Sequence, residues 1–387
     1  SKITKQDVVE WANKYLGPES YAIIYKREGK DPDEQKIAAP KITPIVTNRD
    51  SQSEFLSEIQ TSQVQPIEPV FVDYKKDMSQ FEAQPGIDVL YKKNETNDIF
   101  TLIYVFNTGT ENDPALNLAF NYLSYLGTDK MTAEEIASEM YDIACSFYMN
   151  AGANQSSIQI TGLSENMGKA MEIVEGLIAG AKPDEAILEN CKADMLKSRA
   201  DAKLNQSRCF GALQRYLFYG GDFIRRTTLT DPALQALTSE QLLAKIGGLM
   251  GKQHEVLYYG PQKETEVKSA LAEHHKVAAD LQPLEKKFST LLPTDANKVV
   301  LAQYDAKQLY YLQFSNRGEK FDVAADPEIT LYNEYFGGGM NTIVFQEMRE
   351  ARGLAYTAWA TLATPSNANG DYSYYAFIAT QNDKMQK

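Results

Sequence analysis

The sequence predicts an α+β chain built from repeated units of paired strands and helices, and three observations carry that prediction. The first is internal repetition. Asp98 to Thr110 (DIFTLIYVFNTGT) reads as a strand and turn, after which Asp113 and Pro114 open a helix with Leu116, Phe120, Leu123 and Leu126 at helical intervals, ended by Gly127 and Thr128. A second copy begins near Val299 and keeps that order: a strand pair, an Asp-Pro helix start at Asp326 and Pro327, a glycine break, a second helix and paired strands. The second observation is the switch of hydrophobic period from helical spacing to alternation inside each copy. The third is size, since 387 residues at 43% hydrophobic content hold two or three domains with substantial cores.

Taken in order, Ile3 to Arg27 matches Leu237 to Gly260, a closing helix and strand, so residues 1–27 read as the end of a preceding domain. Between 28 and 75, Pro32, Pro40, Pro44, Pro66 and Pro69 interrupt polar sequence, and periodicity is weak except around Phe55 to Ile59. This stretch reads as a linker, with an edge strand over Lys41 to Thr47 as the competing reading. Residues 76–285 form the first complete copy. Within it, Thr132 to Glu135 is a capping box for a helix carrying Ile136, Met140 and Ile143, and Lys182 to Gly221 is a long polar-faced helical run. Residues 286–387 start another copy. Ser157 to Met171 answers Tyr374 to Lys387, so the second copy is expected to stop where a long helix begins, in a longer parent protein.

The most informative stretch is Phe336 to Ala360, FGGGMNTIVFQEMREARGLAYTAWA. Asp326 and Pro327 are placed as N-cap and first helical residue, with Ile329, Tyr332 and Phe336 as an apolar stripe. Three glycines interrupt it, and Met340, Ile343, Val344 and Met348 resume helical spacing until Gly353. From Leu354, Tyr356, Ala358, Ala360 and Leu362 alternate with Thr357, Trp359 and Thr361, as in a strand. Arg349 and Tyr356 thus flank one turn, close enough to converge on a ligand. On residue chemistry alone the favoured reading is structural, with Arg349 complementing its helix dipole and Tyr356 packing in a sheet.

This segment resembles the Arg-and-Tyr motif of the pitrilysin/insulinase family of zinc metallopeptidases, the inverzincins, at the family's seven-residue spacing. The resemblance implies repeated domains of mainly antiparallel sheet covered on one side by helices, the fold shared with the mitochondrial processing peptidase. It further implies that Arg349 and Tyr356 hydrogen-bond the substrate backbone and stabilise charge on the attacked carbonyl, facing a separate zinc domain across a chamber. The long helical run would then be paired helices on the sheet, with Tyr216 and Tyr219 near that chamber.

The family's zinc domain carries His-x-x-Glu-His, and this chain does not contain it. Aligned on Gly127-Thr128, the ligand-bearing positions are Leu118, Asn121 and Tyr122: an apolar side chain, a neutral amide and a phenol with an ordinary pKa of about 10. The three histidines, His254, His274 and His275, have no spacing that puts two imidazoles on one helix face, and adjacent His274 and His275 would point about 100° apart. They read as surface or packing residues. No metal or cofactor is therefore assigned to this chain, and zinc is expected in an N-terminal half before residue 1.

A net charge of −13 and a pI near 4.9 argue against nucleic acid, because Lys92-Lys93 and Arg225-Arg226 are too small as basic patches. The acidic balance suits basic peptides, or solubility alone. Cys145, Cys191 and Cys209 have no metal spacing, form no full disulfide framework and read as buried thiols in helix-like sequence. Gly337-Gly338-Gly339 lacks the Lys-Ser or Lys-Thr of a phosphate loop and reads as a site of turning or close approach. No membrane span is legible. Compartment stays open from the residues; relatives occupy periplasm, cytosol and organelles, and the bacterial periplasm is taken as the expectation.

These readings predict the C-terminal, zinc-lacking half of an endopeptidase, inactive alone, whose partners are a peptide or small-protein substrate and the zinc-binding half of the same protein. The alternative is an inactive scaffold or peptide-binding subunit of the same fold.

Overall fold

A computed structural model describes residues 3–27, 29, 38, 40, 41, 43, 51–284 and 289–384. Two compact units divide the chain at residue 70. The first contains α1 (Lys5–Tyr15), whose N-terminus is closed by a reciprocal Thr4–Asp7 capping box, and α2 (Glu54–Thr61), capped by Ser53. Val8, Trp11 and Tyr15 of α1 are exposed. Residues 21–27, expected as a strand, join no ladder. Of the strand considered over Lys41 to Thr47, all but residues 41 and 43 lie outside the described residues.

The second unit runs β1 (Ser79–Gln84), β2 (Ile87–Lys93), β3 (Ile99–Phe106), α3 (Leu116–Leu123), α4 (Ala133–Asp142), β4 (Cys145–Ala151), β5 (Ser156–Leu163), α5 (Met167–Gly180), α6 (Glu185–Lys203), α7 (Gln206–Thr227), α8 (Asp231–Ala236), α9 (Ser239–Met250), β6 (His254–Gly260) and α10 (Glu264–His274). It continues with β7 (Gln308–Ser315), α11 (Asp326–Phe336), α12 (Ile343–Phe345), β8 (Ala355–Ala363) and β9 (Ser373–Gln381). The first sheet has the order β1-β2-β6-β3-β5-β4, antiparallel except for β2 beside β6. The second, β7-β9-β8, repeats the order β3-β5-β4 with the same antiparallel pairing.

Strict alternation places the core. In β3, Phe100, Leu102, Tyr104 and Phe106 are fully buried while their neighbours are not, and Ile158, Ile160 and Val256 extend this face across β5 and β6. Leu118 and Leu123 of α3, Val174 of α5 and Leu242 of α9 close it. The helix expected to open at Asp113 begins at Leu116 instead, because the Asp113 carboxylate caps a preceding turn, accepting from the Ala115 N–H at 3.0 Å and pairing with Lys245. Cys145, expected in helix-like sequence, starts β4, and Cys209 is half-buried rather than buried.

Two histidines correct the expectation of plain packing residues. His275 is not helical; it is the C-cap of α10, and its Nε2 lies 2.9 Å from His254 Nε2. His254 Nδ1 is 2.8 Å from the Lys252 carbonyl, which only accepts, so His254 donates there and its Nε2 accepts. The chain continues from His275 Nδ1 to Glu175 Oε1 at 2.7 Å, to which the Tyr104 hydroxyl donates at 2.8 Å, while Lys276 N–H donates to Glu175 Oε2. Burial under Phe106, whose ring centroid is 4.7 Å away, lowers His254 to about 4, and the neighbouring His275 adds to the effect. Burial first, then Glu175, holds the Tyr104 phenol well above its usual range.

The second sheet is covered on both faces. On one, α11 lies against β8: a Cβ on Gly337 would stand 2.7 Å from the amide nitrogen and 2.8 Å from the carbonyl carbon of Ala360. Only glycine allows that approach. The Asn333 side chain fixes it, donating to the Leu362 carbonyl at 2.9 Å and accepting its N–H at 2.8 Å. The helix starts at Asp326 with Ala325 as N-cap, one residue earlier than expected; the Asp326 carboxylate takes the Thr364 hydroxyl instead. On the other face, Phe210 of α7 meets Tyr310 and Phe377, and Phe218 meets Phe314 and Tyr375. The predicted run over 182–221 is thus two helices separated at Leu204 and Asn205, the second kinked at Gly220 (φ +80°).

Two predictions follow from this packing. Because the folded His254 pKa lies below the unfolded value of 6.5, its stabilising contribution is complete above that value and is lost as pH falls towards about 4, a loss of about 3 kcal/mol. Urea unfolding at pH 7.5 and 4.5 should show a smaller acid loss in His254→Gln than in the wild type. Gly337→Ala should cost about 1–3 kcal/mol by overpacking, whereas Gly339→Ala, with nothing within 4 Å of its Cβ, should cost clearly less. Equal costs in thermal melts would contradict the close-approach role.

Candidate functional site

The structure brings Arg349 and Tyr356 together. Thr342 caps α12, its hydroxyl accepting from the Phe345 N–H, and the helix then widens into a π-turn over Gln346–Ala351. Such turns add a residue to the helical repeat and re-aim side chains. The Glu347 and Arg352 side chains, five apart, pair at 3.6 Å across it. Gly353 (φ +57°) reverses the chain into β8, and the Thr380 hydroxyl holds the Leu354 carbonyl at 2.6 Å.

At the head of β8 the ladder slips. Ala355 pairs with Thr380 and Thr357 with Ala379, leaving Tyr356 as a bulged residue with no cross-strand partner. Alternation alone would put Tyr356 on the face of buried Ala358 and Ala360; the bulge leaves it 74% exposed. The Arg349 guanidinium carbon lies 4.4 Å from the Tyr356 ring centroid and 4.7 Å from that of Phe345. Its Nε is 3.4 Å from Glu350 Oε1, and the side chain is one-third exposed. Two rings thus hold the cation. Among the described residues, no protein acceptor takes a hydrogen bond from its Nη atoms or from the Tyr356 hydroxyl, so these donors face outward unspent.

Phe345 is the member of this cluster that the sequence reading passed over, although its i, i+4 relation to Arg349 is legible. Tyr216 and Tyr219 separate: Tyr216 sits beneath the Lys298 ammonium at 5.5 Å, while Tyr219 stacks on Phe223 at 4.5 Å beside a cavity.

The positions aligned with the zinc ligands do not fit a metal. Leu118 is fully buried in the apolar core. Tyr122 is equally buried, its hydroxyl donating to Ser239 Oγ at 2.8 Å and accepting from the Asp184 N–H at 2.7 Å. Asn121 is on the exposed side of α3. Among the described residues no group of three or more His, Cys, Asp or Glu is placed to hold a metal ion. No described helix is long and apolar enough to cross a membrane.

No protein-family model matches the chain. An uncharacterised zinc protease of Streptomyces coelicolor is 22% identical over 266 residues, 64% of this chain and 56% of the relative. A second, from Rickettsia felis, is 23% identical over 279 residues, 68% of this chain and 63% of the relative. The chain therefore spans little more than half the length of these curated relatives. Among solved structures, a peptidase M16 inactive domain from Pseudomonas fluorescens superposes with a TM-score of 0.64 at 18% identity over 79% of this chain and 74% of that one. The periplasmic protease PqqL of Escherichia coli gives 0.65 at 12% identity over 99% of this chain and 40% of its own. The ferredoxin protease FusC, solved with Arabidopsis ferredoxin, gives 0.59 at 12% identity over 100% and 40%. The solved structures share the fold and the curated relatives are named zinc proteases, in keeping with the pitrilysin/insulinase-type motif that the Arg349–Tyr356 segment resembles.

Proposed function

We propose that this chain is the substrate-gripping, zinc-free half of a clamshell endopeptidase whose other half, N-terminal to it, carries the zinc and the hydrolytic chemistry. The observation that carries this reading is the Arg349–Tyr356 pair, a guanidinium fixed against two rings beside an exposed phenol, both with unspent donors. Donors oriented in advance towards a carbonyl oxygen that becomes negatively charged stabilise the transition state more than the ground state. In this reading Arg349 and Tyr356 hold the peptide backbone and share that charge. The packed-over positions of α3 and the likeness to a domain called inactive support assigning the zinc elsewhere. Substrates are peptides or small proteins, as the ferredoxin bound to FusC suggests, and the likeness to PqqL supports the bacterial periplasm as the compartment.

The test is cleavage of quenched fluorescent peptides by the chain alone and mixed with the zinc-carrying half. Only the mixture should cleave, and Arg349→Ala or Tyr356→Phe should lower kcat/KM about 10²–10³-fold. Near-normal cleavage by both variants would remove the assigned roles. A mixture that associates yet cleaves nothing would instead favour a scaffold.

A further inference from the structure

A second group of ring-held guanidinium side chains lies away from Arg349, where the Gly220-Gly221 pair kinks α7. The kink turns Tyr219, Asp222, Phe223 and Arg226 towards the loop after β3 and the segment at Ser289 and Thr290, lining an open cavity of about 640 Å³. Buried Phe223 carries three neighbours: Tyr219 stacked at 4.5 Å, and the guanidinium groups of Arg215 and Arg226 at 5.1 and 5.4 Å from its centroid.

The charges here are unevenly satisfied. Asp222 pairs with Arg225, and the Glu111 carboxylate takes the Ser289 hydroxyl. Arg226 donates through Nη1 to the Glu111 main-chain carbonyl at 2.7 Å, and Arg215 through Nη2 to the Thr227 hydroxyl at 3.1 Å. Neither arginine meets a carboxylate among the described residues. Arg226 is thus the one cation among the described residues lining the cavity; of the two lining carboxylates Asp222 is paired with Arg225 and Glu111 is engaged by the Ser289 hydroxyl, while Arg215 stands behind Phe223. The Tyr219 hydroxyl and the Thr290 hydroxyl also lack hydrogen-bond partners among the described residues. Burial, reinforced by Glu111, raises the Tyr219 pKa, so that hydroxyl stays a donor. What the cavity offers is the Arg226 guanidinium and the hydroxyl donors of Tyr219 and Thr290, with Arg226 already held by ring and carbonyl, which lowers the entropy cost of binding.

We propose that this cavity binds a carboxylate of the peptide held by the chain, with Arg226 as its charge-assisted partner. A guanidinium fork matches a carboxylate in shape, and a carboxylate is the anion that a peptide carries. The carboxylate has two sources, a free C-terminus or an acidic side chain. The proposal rests on the peptide-holding reading above only for the identity of the ligand.

The test is titration calorimetry of the whole chain with three N-acetylated peptides of one core sequence: a free acid, its amide, and an amide carrying one Asp. A carboxylate-bearing peptide should bind about tenfold tighter than the plain amide. Arg226→Gln should abolish that advantage, and Arg226→Lys, which keeps the charge but loses the fork, should keep part of it. Which acidic peptide gains identifies the source. Arg349→Ala should weaken all three peptides alike, so its failure to do so counts against the peptide-holding role of Arg349 and not against this cavity. Equal affinities for the three peptides, no binding by any of them, or an advantage that survives Arg226→Gln would overturn the proposal.

Discussion

A helix lies at backbone distance from a strand only where it carries no side chain, and that constraint at Gly337 sets the geometry of the second sheet. The α11 terminus rests on Ala360, and Asn333 is bonded to both main-chain groups of Leu362, so α11 is fixed directly to the β8 backbone. The chain between them has only residues 338–354 in which to leave the sheet, form a helix and return. A regular helix ended by Gly353 would fix the direction of Arg349 by α-helical geometry alone. The π-turn changes it, and the bulge at Tyr356 changes the strand end to meet it. Two departures from regular structure, on either side of one glycine, therefore generate one cation–ring contact. Irregular backbone of this kind costs stability and persists where surrounding contacts determine it.

The first sheet shows the opposite use of the same plan. Its α3 carries Leu118 and Tyr122, positions that the resemblance aligns with metal ligands, and both serve packing. Tyr122 is the clearest case: a phenol sealed in the core whose hydroxyl is satisfied by Ser239 and Asp184. Titratable groups are instead gathered at the far end of β3, where Tyr104, Glu175, His275 and His254 satisfy one another in sequence. An incomplete chain of buried polar groups would cost more than an apolar core, so its members stand or fall together.

Much of this was legible in the sequence, and the division follows the range of the interactions. Asp-Pro helix starts, the Thr132 capping box, the alternation in β3 and the repeated strand–helix order are local patterns, and the elements lie close to where those patterns put them. The glycine run was readable as a close approach, although not the strand it would approach. The bulge at Tyr356 was not readable, because its cause is the register with β9, and alternation placed Tyr356 on the wrong face. Nor was the histidine pair: His254 and His275 are 21 residues apart and meet because β6 and the α10 C-cap fold over the same part of the sheet. The kink in α7 had a local cause in Gly220-Gly221, but the aromatic packing on either side of it is tertiary.

One device recurs where the chain leaves donors unspent. Arg349 rests on Phe345 and Tyr356, and Arg226 rests on Phe223. In a protein of net charge −13, an arginine finds a carboxylate easily, and a surface ion pair would hold it at little net gain while occupying the donors a ligand needs. A ring holds the guanidinium by its face and leaves the in-plane N–H groups available. Fixing the cation against rings therefore preserves its capacity to bind an anion or a developing negative charge, and removes most of the rotamer entropy that binding would otherwise cost. The same physics suits Arg349 to a transition-state charge and Arg226 to a carboxylate, the difference lying in what the exposed bulge at Tyr356 and the cavity at Phe223 admit.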